Sequence, residues 1–246
     1  MATIVGRQPV REALRAKRRT LHEVWLSSGI KKRDAKPIID ELEAAGVSWK
    51  WVASERIEEA TSGMTHQGIL AFCNPYPYVE VSEILMAAQT QGVDPFIVMA
   101  CHIEDPHNLG ALIRSSEAAG AHGLIIPKRR SASINATVVK TSAGATEHLR
   151  ISQVTNLVRT LKYLKSQRIW AFGAEAKGKS VYSVDLSGPV VLCLGSEAGG
   201  LPRLVNETCD ELVSLPLFGR INSLNVSVAG AVLLYEIVRS RYGGPA

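Results

Sequence analysis

The chain has 246 residues, 46% of them hydrophobic, and a net charge of +5, which excludes collagen-like, disordered and coiled-coil proteins. No apolar run approaches the roughly 18 residues that a membrane-spanning helix needs, and the basic start lacks the apolar segment of a secretion signal. The four cysteines are scattered without CxxC spacing, so we expect reduced thiols in a cytoplasmic protein, with no disulfide and no metal site.

The first part of the chain shows alternating helix and strand patterns. Helix patterns cover residues 9–17, 34–46 and 54–61, and strand patterns cover residues 23–27, 47–52 and 68–73. Two prolines then interrupt the alternation, and a short amphipathic stretch follows at residues 82–89. We therefore expect a first α/β domain over residues 1–75 and an ordered linker over residues 76–94.

The second part, residues 95–246, begins with the apolar strand pattern FIVMAC at residues 96–101. Further strand patterns at 124–127, 169–173, 190–195 and 211–216 alternate with helix patterns at 108–119, 156–166 and 225–241. Apolar strands separated by helices favour a mostly parallel sheet that is covered on both faces. The sequence therefore predicts an α/β fold for this domain as well.

Positive charge is concentrated at the N-terminal end. Residues 1–36 carry ten Lys or Arg and three Asp or Glu, a net charge of +7, whereas the remaining 210 residues sum to −2. A basic end on a nearly neutral body is typical of a module that binds a polyanion such as nucleic acid. The alternative is a basic surface that only keeps the protein in solution, and the charge alone leaves it open.

Three polar segments each follow a predicted strand, and the first is DPHNLGALIR, residues 105–114. Ligands of open α/β sheets bind where the strands end, so Asn108 and Arg114 are candidates for a site. The alternatives are a helix cap for Asn108 and a surface ion pair with Glu117 for Arg114.

The second and third segments are GSEAGGL, residues 195–201, and LPLFGRINSLNVSVA, residues 215–229. The glycines allow either a close approach of the backbone to a ligand or a tight turn, and Glu197 is a residue that a turn alone does not need. Ser223 or Asn225 can cap the helix that follows, whose small residues suit close packing against another chain or a tucked segment. The sequence has no dinucleotide-binding, P-loop or nucleophile-elbow motif and no metal-ligand spacing.

These three segments, in this order and at these distances, resemble the SpoU/TrmH family of RNA 2′-O-ribose methyltransferases, within the SPOUT class. The family pattern is DPxNxGAxxR, then GSExxGL, then [IL]PxxGxxxSLNVSxA, and the similarity covers about residues 95–241. Near the N-terminus, IVGRQPVREALRA and MTHQGILAF resemble the family's substrate-binding domain, which has an L7Ae/L30e-like α/β fold. DPHNLGA, PKRRS…NAT and VTNLVRTL are most similar to the bacterial enzymes that methylate a guanosine ribose in 23S rRNA.

The resemblance implies a trefoil knot in the C-terminal domain, which brings the second and third segments together to bind S-adenosylmethionine. The implied cofactor contacts are Leu194, Gly195, Leu215, Pro216 and Leu224. The family assigns removal of the ribose hydroxyl proton to the residue that matches Arg114. We expect this residue to act as an electrostatic stabiliser at least as much as a base, because a guanidinium ordinarily keeps its proton at neutral pH. The residues expected to orient Arg114 and the ribose are Asn108, Glu197, Ser223 and Asn225.

The resemblance also implies RNA as the substrate and a homodimer formed through the catalytic domain, with no membrane and no metal. The expected RNA contacts are Arg18, Arg19, Lys31, Lys32, Arg33, Lys128 and Arg129. One alternative is a tRNA-directed methyltransferase of the same family, against which the separate N-terminal domain argues. The other is a catalytically inactive RNA-binding factor of ribosome assembly, against which the intact Arg114, Glu197 and Asn225 argue.

Overall fold

The computed structural model describes residues 1–196 and 199–243 and divides the chain into two compact units. Unit 1 contains residues 1–77 and 134–148, and unit 2 contains residues 78–133 and the described chain from residue 149 onward. The segment 134–148 therefore belongs to unit 1, although unit 2 precedes and follows it in the sequence. The expected boundaries of the functional domains, 1–75, 76–94 and 95–246, stay a prediction.

Unit 1 alternates strands and helices along the chain. Its elements are β1 (Ala2–Val5), α1 (Arg7–Ala16), β2 (Leu21–Ser27), α2 (Lys32–Ala44), β3 (Ser48–Val52), α3 (Ser54–Ala60) and β4 (Ile69–Cys73), and segment 134–148 adds the short helix α6 (Ala136–Thr141). The sheet order is β1-β4-β2-β3, with β4 antiparallel to both neighbours and β3 parallel to β2. The predicted helices and strands of this part are confirmed to within a few residues, and β1 is an additional strand.

The core of unit 1 includes a residue from the distant segment 134–148. Val10 of α1 and Ile38 of α2 are buried in one cluster with Val24 and Ile69 of the sheet. Val139 of α6 is buried in the same cluster. Apolar area buried in this way stabilises the folded state, so α6 contributes to the core of unit 1.

Unit 2 is built around a six-stranded parallel sheet with the order β10-β8-β9-β5-β6-β7. Its elements are α4 (Val81–Gln91), β5 (Phe96–Ala100), α5 (Pro106–Ala118), β6 (Gly123–Pro127), β7 (Arg150–Val154), α7 (Leu157–Ser166), β8 (Trp170–Ser180), β9 (Val190–Leu194), α8 (Arg203–Asn206), β10 (Glu211–Ser214) and α9 (Val226–Tyr242). Every residue of β5, β6 and β9 is buried, as expected for parallel strands covered on both faces. The predicted α/β fold with a parallel sheet is confirmed.

Two features of unit 2 differ from the predicted pattern. β7, with the sequence RISQV, lies outside the predicted strands, because only two of its five residues are apolar and they neither alternate nor form a run. β8 continues to Ser180, beyond the predicted end at residue 173, through the polar stretch AEAKGKS. Gly178 permits this continuation because it has no side chain. A Cβ added there would lie 2.6 Å from the backbone of Leu212 in β10, which is too close for any other residue.

One of the small residues of α9, Gly230, allows this helix to pack closely against other elements of the same chain. An added Cβ at Gly230 would lie 2.8 Å from Leu112 of α5 and 3.0 Å from Leu194 of β9. Glycine therefore lets α9 approach α5 and β9 closely, which is the tucked alternative of the two that the sequence left open.

The four cysteines are free thiols, and Cys209 is the one that is not fully buried. Burial raises the pKa of the Cys73 and Cys101 thiols, so these two groups stay protonated and unreactive at neutral pH. None of the helices in the described ranges is long and apolar enough to cross a membrane.

Candidate functional site

The three polar segments of the sequence converge on one edge of the unit 2 sheet. The first segment follows β5, the second follows β9 and the third follows β10. β5 and β9 are neighbours, and β10 lies two strands beyond β9, a separation of about 10 Å. Because the strands are parallel, their carboxyl ends meet at one edge, which is where ligands of open α/β sheets bind.

A cavity of about 210 Å³ lies at this edge. Four of the five residues expected to contact a cofactor line it: Leu194, Gly195, Leu215 and Leu224. Ser223 also lines it, whereas Pro216 is not among the described residues of the lining. The cavity therefore combines apolar walls with backbone from a glycine segment.

Sequence reasoning missed part of this cavity. Ala174, Glu175 and Ala176, from the second half of β8, also line it. They lie just beyond the predicted end of that strand, in a stretch whose polar residues hide the strand pattern. They lie in a register shift of the parallel pairing of β8 with β10, between the pairs Gly173–Leu212 and Lys179–Val213, and that irregularity is not visible in the local sequence.

Gly195 is required by a close approach of two backbone segments. An added Cβ at this position would lie 2.0 Å from the carbonyl carbon of Gly200. Next to it, the Ser196 N–H donates to the Gly200 carbonyl oxygen at 3.1 Å, and the Gly200 N–H donates to the Ser196 carbonyl oxygen at 2.8 Å. Both segments border the cavity, so any larger residue at position 195 would displace them. Glu197 lies outside the described residues.

Asn108 and Asn225 join the first polar segment to the third. The Asn225 side-chain N–H donates to the Asn108 side-chain oxygen at 2.9 Å, and Asn108 is 9% exposed. Asn225 also caps α9, whereas the cap of α5 is Asp105, whose carboxylate accepts the His107 N–H at 2.9 Å. The alternative in which Asn108 is only a helix cap is therefore wrong.

Arg114 lies on α5 with its side chain exposed. The alternative role, a surface ion pair with Glu117, is not found, and Arg114 has no ion pair with any residue of the described ranges. Asn108 is buried and Arg114 is exposed, so the two side chains lie on different faces of the helix. Its exposed guanidinium, without an ion pair in the described ranges, is available to a bound anion.

The outer face of α9 is apolar and exposed. Val228, Val232 and Tyr235 are 50%, 41% and 54% exposed, and their spacing of four and three residues places them on one side of the helix. Gly230 lies on the inner side. An exposed apolar stripe of this kind is typical of a surface that another protein covers.

The basic residues of unit 1 lie at two opposite ends of its sheet. Arg18 and Arg19 precede β2, whereas Lys31, Lys32 and Arg33 follow it and are exposed. β2 has seven residues, so the two groups are separated by about 20 Å. One continuous basic surface formed by all five residues is therefore excluded.

Arg19 is not available for binding RNA. It is 6% exposed, and its guanidinium donates to both carboxylate oxygens of Glu147, which is 1% exposed. The expectation that Arg19 contacts RNA is wrong, because its positive charge is consumed by a buried ion pair. Arg18 is half-buried, and its guanidinium lies over the ring of Tyr76 at 5.5 Å.

The end of the unit 1 sheet that carries Lys31 has a polar, open cavity of about 550 Å³. Arg7, Lys31, His66 and Gln67 are among the residues that line it. The Arg7 N–H donates to the Gln67 side-chain oxygen at 3.2 Å, and the Arg7 guanidinium donates to the Gln67 carbonyl oxygen at 3.3 Å. These bonds hold Arg7 beside the cavity; it has no ion pair within the described ranges, although Asp34 also lines the cavity.

Lys128 and Arg129 follow β6 at the carboxyl edge of the unit 2 sheet, and both are exposed. Within the described ranges, no three His, Cys, Asp or Glu side chains are grouped so that they could hold a metal ion.

The fold and the cavity define an α/β domain with a ligand-sized site at the carboxyl edge of a parallel sheet, preceded in the chain by a second α/β unit. Sequence models of two protein families match these parts: the SpoU rRNA methylase family over residues 95–235, and the RNA 2′-O-ribose methyltransferase substrate-binding domain over residues 3–79. The chain belongs to the SpoU rRNA methylase family. The resemblance seen in the three polar segments is confirmed.

Relatives match nearly the whole chain. It is 37% identical over 241 residues to the 23S rRNA (guanosine-2′-O-)-methyltransferase RlmB of Escherichia coli strain K12, covering 97% of this chain and 98% of that protein. It is 38% identical over 239 residues to YacO of Bacillus subtilis, assigned to the TrmH family of tRNA/rRNA methyltransferases. This match covers 97% of this chain and 95% of YacO. The SpoU methyltransferase AviRb of Streptomyces viridochromogenes, solved with AdoMet, has the same fold, with a TM-score of 0.81, 24% identity and coverage of 98% and 91%.

Proposed function

We propose that the protein transfers the methyl group of S-adenosylmethionine to the ribose 2′-hydroxyl of a guanosine in 23S rRNA. The observation that carries the proposal is similarity over 97% of the chain, at 37–39% identity, to proteins named as 23S rRNA (guanosine-2′-O-)-methyltransferases. The polar segments of the family lie at one sheet edge, where an RNA strand and a cofactor can meet.

The lining of the 210 Å³ cavity suits S-adenosylmethionine. Leu194, Leu215 and Leu224 provide apolar walls for an adenine, and the backbone beside Gly195 provides N–H and C=O groups that can read its edge. When bound, the cofactor supplies a methyl group that is activated by a sulfonium. Pro216 supports the wall from its position next to Leu215.

The remaining site residues act on the ribose. The exposed guanidinium of Arg114 stabilises the negative charge that develops on the 2′-oxygen and holds a neighbouring phosphate. Asn108 and Asn225 fix the first and third segments relative to each other through their 2.9 Å hydrogen bond. Ser223, which carries a hydroxyl, borders the 210 Å³ cavity. Glu197 orients Arg114 and the ribose, a role that rests on its match to the family motif.

Unit 1 docks the RNA. The 550 Å³ cavity at one end of its sheet, with Arg7 and Lys31, presents positive charge and hydrogen-bonding groups to phosphates. Lys32 and Arg33 extend this surface, and Arg18 at the other end of the sheet takes no part. The proposal includes an L7Ae/L30e-like fold for this domain.

The proposal also includes a trefoil knot and a homodimer. After the edge strand β10, the chain returns as α9 to the centre of the sheet and packs against α5 and β9, which is the path that a knotted segment needs. The exposed stripe Val228, Val232 and Tyr235 forms the surface between two copies. A protein that modifies bacterial rRNA acts in the cytoplasm.

The test is methylation of defined RNA by the purified protein with radiolabelled S-adenosylmethionine. rRNA and tRNA from a strain that lacks the gene serve as substrates, and 2′-O-methyl groups are mapped by primer extension at low nucleotide concentration. Label at one guanosine ribose of 23S rRNA is expected. Label on tRNA only, on a base, or on no RNA in the presence of measurable cofactor binding contradicts the proposal.

A tRNA substrate is the second candidate. The TrmH/SpoU tRNA modifying enzyme of A. aeolicus has a TM-score of 0.54 and 29% identity with this chain, but it covers only 60% of it. The match to RlmB extends over both units, and this favours rRNA.

A further inference from the structure

A second cavity lies at the carboxyl edge of the unit 2 sheet, where β7 ends. It has a volume of about 480 Å³ and is bordered by Lys128, which follows β6, by Gln153 of β7, and by Arg159 and Tyr163 of α7. It shares no lining residue with the 210 Å³ cavity, and the three family segments do not contribute to it. It is therefore a separate surface from the proposed cofactor site.

The cavity presents two positive charges without partners. Lys128 and Arg159 are exposed, and neither side chain has an ion pair or hydrogen bond to another residue in the described part of the chain. Glu80 also lines the cavity; its carboxylate accepts the backbone N–H of Glu83 at the start of α4 and forms no ion pair with Lys128 or Arg159. The positive charges are thus open to an anionic ligand.

An aromatic ring lies beside one of these charges. Tyr163 is 42% exposed and lies four residues after Arg159, so both side chains are on the same face of α7. Leu157, Leu161 and Leu164 on the other face are buried and hold the helix against the core. An exposed ring next to Arg and Lys is the combination with which proteins bind single-stranded nucleic acid, the ring stacking on a base.

The loop that carries Lys128 is fixed to the segment that leads into the proposed catalytic residues. The His102 ring nitrogen Nδ1 donates to the Arg130 carbonyl oxygen at 3.0 Å, and the Ala132 N–H donates to the Ile103 carbonyl oxygen at 2.9 Å. His102 and Arg130 both have left-handed backbone, with φ of 59° and 55°, which non-glycine residues seldom adopt.

The order of the β-strands places the second cavity close enough to the proposed catalytic residues for one RNA molecule to contact both. β7 lies two strands from β5, which is about 10 Å at the usual spacing. The basic loop after β6 lies between them. An RNA strand whose target ribose lies at the carboxyl end of β5 therefore passes the loop that carries Lys128. A neighbouring nucleotide of that RNA then reaches the second cavity.

We propose that the second cavity binds a nucleotide adjacent in the RNA to the one that is methylated, with Lys128 and Arg159 on phosphates and Tyr163 stacked on a base. This proposal rests on the proposed function, because it concerns how the catalytic unit holds the same RNA substrate. It assigns to unit 2 an RNA-binding site of its own, in addition to the docking surface of unit 1.

The test uses the full-length protein and three variants. Tyr163→Ala removes the ring, Lys128→Ala with Arg159→Gln removes both charges, and Lys162→Gln is the matched control, since Lys162 is an exposed charge of α7 that does not line this cavity. A 23S rRNA fragment that the parent methylates is the probe. RNA affinity is measured at several salt concentrations. Cofactor affinity is measured by calorimetry, and the kcat of methyl transfer is measured at saturating RNA.

Loss of the ring is expected to weaken RNA affinity about tenfold. Loss of both charges is expected to lower the log–log salt slope by about 1.4, which corresponds to two contacts with single-strand phosphates. Cofactor affinity and kcat at saturating RNA stay at the parent values, and Lys162→Gln behaves as the parent in every measurement.

The outcomes separate this proposal from the proposed function. A parent protein that methylates the fragment while all variants keep its RNA affinity and salt slope overturns the second site alone. A fall in kcat with unchanged RNA affinity also overturns it. A parent protein that methylates no RNA overturns the proposed function, and with it this site.

Discussion

Asn225 uses both ends of its side-chain amide, and one of them reaches Asn108. Its N–H donates to the Asn108 side-chain oxygen at 2.9 Å. Its oxygen accepts the backbone N–H groups of Ser227 at 3.0 Å and Val228 at 3.3 Å, which begins α9. One residue thus starts a helix and fixes the third polar segment to the first.

These two roles can be separated by mutation. Serine caps a helix about as well as asparagine but has no amide to reach Asn108, so Asn225→Ser is expected to keep the cap and to lose only the bond to the buried Asn108. Misplacement of the two segments should lower the methyl-transfer rate by about 10- to 100-fold. Asn225→Ala should in addition lose about 1 kcal/mol of unfolding free energy. Full activity of Asn225→Ser in single-turnover kinetics would show that the link has no catalytic role.

Arg114→Ala is expected to lower methyl transfer by about 100-fold or more, because the proposed role of this charge is to stabilise the developing alkoxide. Cofactor affinity should stay at the parent value, since Arg114 does not line the 210 Å³ cavity. Arg114→Lys keeps a positive charge and should retain part of the activity if the role is electrostatic. Loss of cofactor binding in calorimetry of Arg114→Ala would contradict this assignment.

The sequence predicted the fold of unit 2 because its buried strands are apolar runs, and β5 and β9 are found where those runs lie. It predicted the cofactor cavity less completely. Leu194 and Gly195 lie at the end of an apolar strand and are visible locally, whereas Glu175 lines the cavity from a register shift in the pairing of β8 with β10. Such pairing joins residues that are distant in sequence and leaves no local pattern.

The distribution of charge along the sequence was the least reliable predictor of which basic residues are exposed. Arg18 and Arg19 are adjacent to other basic residues in the sequence, and this favoured one basic surface. The partner of Arg19 is Glu147, which is 128 residues away, and composition carries no information about that pair. Lys31 is exposed in the loop between β2 and α2, at the start of that helix.

The Arg19–Glu147 pair gives a stability prediction. Removal of one partner leaves a buried charge uncompensated, so Arg19→Met is expected to lower the unfolding free energy by about 3–5 kcal/mol. The double variant Arg19→Met with Glu147→Leu should recover most of this loss, because neither charge is then buried. Urea denaturation of the two variants and the parent measures both effects. RNA affinity of the double variant equal to the parent's would agree with a structural role, and a specific loss of RNA binding at unchanged stability would contradict it.

His122 gives a prediction for the dependence of stability on pH. It is buried, and its ring nitrogen Nδ1 accepts the Phe96 N–H at 2.9 Å. Burial, and to a lesser degree the nearby Arg241, lower the pKa of this imidazole. The unfolded chain then binds the proton at a higher pH than the folded one, so the contribution of His122 to stability is present above about pH 6.5 and is lost as the pH falls below it.

The variant His122→Asn keeps an acceptor for the Phe96 N–H and cannot be protonated. Between pH 7 and 5, the parent is expected to lose stability faster than this variant, by up to about 1.4 kcal/mol per pH unit. Chemical denaturation at several pH values measures the two curves. Carboxylates contribute equally to both proteins, so parallel curves would mean that His122 does not titrate differently in the folded state.

The apolar stripe on α9 predicts the oligomeric state. Val232 and Tyr235 are 41% and 54% exposed on the face opposite Gly230, and water contact with this surface is unfavourable. The parent protein should have twice the 26.6 kDa chain mass in light scattering at micromolar concentration, and Val232→Glu with Tyr235→Glu should have the mass of one chain. Leu204→Glu is the control, because Leu204 is 53% exposed on α8, outside the stripe. It should remain a dimer, and a monomeric parent protein would exclude the interface.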